Sequence, residues 1–88
     1  MKLNNLIDIM REEKVVVNCN TEEKAMKLLK ELDKYNVKWF FGERASTCTY
    51  WDREKEDTCY CIDDNVLFYG NIDTYIYFRY RIIGFEDE

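Results

Sequence analysis

The fold class predicted for this chain of 88 residues is α+β. It should comprise a small, mostly antiparallel sheet of about four to five strands, with one main helix and a short N-terminal helix packed on one face. Three observations predict it. Apolar residues recur with helical spacing twice before Asn36. From Val37 onward, aromatic and β-branched residues replace that spacing, and proline is absent throughout. The length fits a single domain over residues 1–88, burying about 60 to 65% of the unfolded chain's surface. An apolar fraction of 47% with 16% aromatic residues is too rich for a disordered chain, even with 35% charged residues.

Taken in order, Leu3, Leu6, Ile7 and Met10 stand at i, i+3, i+4 and i+7, the stripe of a short amphipathic helix that needs a larger core to dock on. Lys14-Val-Val-Val-Asn-Cys19 is β-branched and short, and reads as a buried strand. Asn20, three residues before Glu23, is placed to cap a helix over about residues 21–35. That helix carries Ala25, Leu28, Leu29, Leu32 and Tyr35 on one stripe. Glu23/Lys27 and Lys27/Glu31 are spaced to pair on its solvent side. Asn36 suits the left-handed residue that ends it. Beyond it, residues 37–41, 47–51, 58–62, 66–69 and 75–83 predict strands, with Gly42, Asp63-Asp64 and Gly70-Asn71 as turns.

Acids outnumber bases, 18 to 13, for a net charge of −5. That balance argues against a nucleic-acid backbone or an anionic membrane as the main partner. No run approaches a membrane span, and MKLNNLIDIMREEK lacks the continuous apolar core of a signal peptide, so the expected compartment is cytoplasmic. There Cys19, Cys48, Cys59 and Cys61 are expected as free thiols.

A structural zinc site draws on two close ligand pairs, whereas this chain has one such pair, Cys59/Cys61, and no histidine. No metal or other cofactor is expected. Cysteine or serine nucleophiles normally recruit a histidine base, and Gly42, Gly70 and Gly84 are too scattered for a phosphate cradle. The chain is therefore not expected to be an enzyme.

The stretch TCTYWDREKEDTCYC reads most simply as a hairpin, with arms Thr47–Trp51 and Thr58–Ile62 and a polar loop from Asp52 to Asp57. Such a loop is a solvated tip or, with Trp51 beside it, a contact element. Trp51, Asp52, Glu54, Glu56 and Asp57 are the candidate residues. In Thr74–Ile82, strand alternation assigns Ile76, Phe78, Tyr80 and Ile82 to the core. It presents Tyr75, Tyr77, Arg79 and Arg81 outward, a set of residue types enriched in binding hot spots and equally compatible with an ordinary outer sheet face.

The segment VVVNCNTEEKAMKLLKELDKYNVKW, with the closing YRIIGFEDE, resembles small, mostly uncharacterised proteins of phages and prophages of Gram-positive bacteria. Such proteins pair a strand with a polar-Thr-x-Glu helix start, a helix, a turn and a Trp-bearing strand, and finish on an Ile-Ile-x-Phe-acidic strand. The resemblance covers roughly half the chain and its motifs are structural. Asn36 stands where glycine often follows the helix, and the N-terminal helix is not required by the pattern. The resemblance implies a phage-type accessory protein acting by binding.

The leading expectation is a non-enzymatic inhibitor of a host protein, in its most specific form an anti-CRISPR or other anti-defence protein. Its target would be a nucleic-acid-binding nuclease complex. Asp52–Asp57, Asp63-Asp64 and Glu86-Asp87-Glu88 would mimic phosphate spacing. The alternatives are an oligomeric sponge that stacks Tyr and Arg side chains on a nucleotide or other small signalling ligand, and an assembly module pairing through an exposed strand.

Overall fold

The computed structural model describes residues 2–86. Asp87 and Glu88, part of the acidic tail, lie outside them. Helix α1 spans Leu3–Glu12 and buries Leu6, Ile7 and Met10, as its spacing predicts. Strand β1 is Val15–Asn18 and helix α2 is Glu22–Lys34, burying Ala25, Leu28, Leu29 and Leu32. The cap of α2 is Thr21 rather than Asn20: its hydroxyl accepts from the Lys24 amide, while the Asn20 side chain accepts from Lys24 Nζ. Asn36 takes the left-handed conformation (φ 57°) expected of it.

Strand β2 is only Lys38–Trp39, and the chain then turns through Phe40 and Phe41, with the Gly42 amide donating to Trp39 O at 2.8 Å. Gly42 sits at φ 94°, where a side chain would be strained. After a 3-10 turn at Ala45–Thr47 come helix α3, Trp51–Glu54, and a second 3-10 turn, Lys55–Asp57. Strands β3, Thr58–Asp63, and β4, Val66–Asn71, form a hairpin closed by Asp64 and Asn65. Both closing residues have positive φ (52° and 62°), the two-residue turn that matches strand twist. Helix α4, Ile72–Tyr77, and strand β5, Arg81–Gly84, complete the chain.

The five strands run in the order β2-β4-β3-β1-β5. β3 pairs antiparallel with β1 and β4, but β5 is parallel to β1 and β2 is parallel to β4. The α+β class holds, but the sheet is mixed rather than mostly antiparallel. Helix α2 between β1 and β2, and α4 between β4 and β5, each bring the chain back to run in the same sense, which a hairpin cannot do.

Two clusters make the core. In the larger, α1 and α2 join Val17, Tyr60, Ile62 and Leu67; in the smaller, Tyr75 joins Val16, Cys59 and Cys61. The clusters take alternate residues of the same strands, so they lie on opposite sides of the sheet.

Two segments depart from expectation. Thr47–Trp51 is not a hairpin arm, and Asp52–Asp57 is not its loop. The Ser46 amide and hydroxyl bind Asp33, fixing a 3-10 turn, and Thr49 Oγ1 accepts from the Trp51 amide to start α3. Residues 75–83 are not one strand. Asn71 Oδ1 accepts from the Asp73 amide at 2.8 Å and caps α4, and Arg79 at φ 64° stops it. Local capping overrides the β preference of Tyr, Ile and Phe.

Candidate functional site

The sequence-predicted candidates do not gather on one face. Tyr75 is buried, its hydroxyl 3.4 Å from Cys61 Sγ, and its ring covers Gly70. Tyr77 is 79% exposed on α4, Arg79 forms the reversal after it, and Arg81 is exposed in β5. Helix geometry places them on different sides, so the alternation that grouped them does not apply. Ile76 and Phe78, expected in the core, are each 56% exposed.

Trp51 is half-buried and structural, its Nε1 donating to Cys19 O at 2.9 Å. Glu54 accepts from Asn71 Nδ2 at 2.9 Å, tying α3 to the end of β4. Asp52, Glu56 and Asp57 remain exposed.

An aromatic cleft at the β2–β4 end of the sheet was not expected. Its floor is Trp39, buried, with Nε1 donating to the carbonyls of Ala45 (3.0 Å) and Cys48 (3.2 Å). Tyr50 meets the Trp39 ring edge-on at 4.9 Å and stacks on Tyr69 at 4.9 Å, with an interplanar angle of 3°. Phe40 lies parallel to Phe68 (6.2 Å, 2°) and edge-on to Phe41 (4.9 Å). Arg53 Cζ stands 5.9 Å from the Tyr50 ring centroid. Together these side chains line a space of about 280 Å³.

The turn after β2 makes this surface. Phe40 and Phe41 occupy its two central positions, where neither side chain can enter the core, and they are 70% and 44% exposed; Phe68 on β4 is 38% exposed. Tyr50 is held at φ 53°, a conformation that costs a bulky residue about 1 to 3 kcal/mol and persists only where surrounding contacts over-determine it. Here the stack on Tyr69 and the edge contact with Trp39 do so. The signal was present in Trp39-Phe40-Phe41-Gly42: three consecutive aromatics cannot share one face of a strand, so at least one must meet solvent.

The cysteines are free thiols among the described residues. Burial pushes the Cys19 thiol up to about 12 and Cys59 to about 11, and it also raises Cys61. These three are protonated near neutrality and poor nucleophiles. No group of three or more His, Cys, Asp or Glu among the described residues is arranged to hold a metal ion, and none of their helices is long and apolar enough to cross a membrane. No family model, curated protein or solved structure matches the chain.

Proposed function

We propose that this chain is a non-enzymatic binding protein that captures and blocks a partner protein, with the aromatic cleft as its anchor. The observation carrying this reading is the pair Phe40 and Phe41, displayed on a glycine-closed turn beside Phe68, Tyr50 and Arg53. Burying an exposed phenylalanine yields about 1.5 to 3 kcal/mol, and aromatic and arginine side chains around a pocket are where binding energy concentrates. Helix α3 carries Arg53 to the cleft, and the same short helix holds Asp52 exposed. Buried, protonated thiols and the absence of histidine support a role without catalysis.

The finer version is the one that the phage-type resemblance suggests, inhibition of a host nucleic-acid-handling complex. There Asp52, Glu56 and Asp57 would engage basic residues of the target while the cleft anchors the complex. A second reading is favoured by one feature: stacked rings with a guanidinium alongside also suit a planar anionic ligand such as a nucleotide.

Recovery of the tagged protein under native conditions from a bacterial host, with mass spectrometry of everything retained, separates the two readings. A stoichiometric protein partner supports blocking. A retained nucleotide without a protein would move the function to a ligand sponge, and recovery of neither would count against both.

A further inference from the structure

Strand β5 is an edge strand, and its geometry suits a second copy of itself. It pairs only with β1, in parallel, over Val15–Asn18. The amides of Arg81 and Phe85 donate inward to Lys14 O (3.2 Å) and Asn18 O (2.8 Å). In a parallel ladder the alternate residues, Ile82 and Gly84, then turn their N–H and C=O groups outward, where no strand among the described residues meets them. An open edge of this kind is a template for another strand.

We propose that two copies form a two-fold dimer by pairing their β5 strands antiparallel about Ile83. In this register Ile82 of each copy lies opposite Gly84 of the other, so the outward-facing groups exchange both hydrogen bonds, and they do so twice across the axis. Ile82 and Gly84 share a face of the strand, as directly opposed residues of an antiparallel pair must. A Cβ added at Gly84 meets nothing within 4 Å, leaving an open place that the half-buried Ile82 of the second copy fills.

Charge selects the same arrangement. Arg79 and Arg81 lie at the start of β5 and Glu86 just past its end, all three exposed. Antiparallel pairing sets the basic start of one strand beside the acidic end of the other, whereas parallel pairing would set like against like. The aromatic cleft lies at the opposite edge of the sheet, so both clefts stay open in the dimer. The proposal is therefore independent of what the cleft binds.

Sedimentation equilibrium and native mass spectrometry of the purified full chain at sub-millimolar concentration test it. A species at twice the 10.8 kDa chain mass is expected. Arg81→Glu and Glu86→Arg should each weaken association by about three- to tenfold, because each sets like charges together at both ends of the paired strands. The combined swap, Arg81→Glu with Glu86→Arg, should restore it. Both positions are exposed, so the circular dichroism spectrum should not change. Hydrogen exchange at the Ile82 and Gly84 amides should slow on association. A monomer at that concentration overturns the proposal. So does a dimer indifferent to both single reversals, or one whose slowed amides lie outside β5.

Discussion

Gly70 shows how one residue decides the fit between the sheet and α4. Its absent side chain admits the Tyr75 ring, and a Cβ there would stand 3.1 Å from Tyr75 Cε2. Gly70→Ala is expected to cost about 1 to 3 kcal/mol, read from urea unfolding, because the ring must shift off Cys61 to make room. Asp33 sets a pH dependence. Burial alone would raise its pKa, but hydrogen bonds from the Ser46 hydroxyl and amide, with Arg44 beside them, outweigh burial and hold the carboxyl below its ordinary 3.8. A lowered folded-state pKa gives stability fully present above pH 3.8 and lost as pH falls through the folded value. Asp33→Asn should flatten this acid limb in unfolding curves taken across the acid range. It should also cost about 1 to 2 kcal/mol near neutrality. Among the thiols, half-exposed Cys48 should react first with a disulfide reagent, while Cys19, Cys59 and Cys61 wait for the chain to open.

At the level of elements, the helices before Asn36 were legible because amphipathic spacing and burial agree there: Leu6, Ile7, Met10, Leu28, Leu29 and Leu32 all face the core. Strands β3 and β4 were legible from their β-branched and aromatic residues, and the turn expected at Asp63-Asp64 falls one residue later, at Asp64-Asn65. The segments around Tyr50 and Tyr75 were not. Their β-prone residues are overruled by local hydrogen bonds, the Trp51 amide to Thr49 Oγ1 and the Asp73 amide to the Asn71 cap, which composition does not reveal. The cost fell on the candidate site, since an error in period reassigns every side chain from Tyr75 to Arg81. Asn71→Ala should destabilise the chain by about 1 kcal/mol through loss of the α4 cap, with an added loss from the Glu54 contact. Arg79→Gly should raise the thermal midpoint, because φ 64° suits glycine at the end of a helix better than arginine.

Across the whole molecule, the core and the exposed aromatic turn lie apart. The core lies between the helices and β1, β3 and β4, while Phe40 and Phe41 occupy a terminal turn that contributes little to it. Phe40→Ser with Phe41→Ser should therefore leave stability within about 1 kcal/mol of the parent, as surface substitutions usually do. The acidic residues on the helical turns are separable in the same way, since Asp52, Glu56 and Asp57 are exposed. The decisive measurement compares native capture by three tagged chains: the parent, the Phe40→Ser/Phe41→Ser variant, and Asp52→Asn/Glu56→Gln/Asp57→Asn. Loss of the partner by the phenylalanine variant, with its fold intact, is the result expected of a cleft that anchors binding. Full retention of the partner by that variant would contradict the cleft as the site of capture.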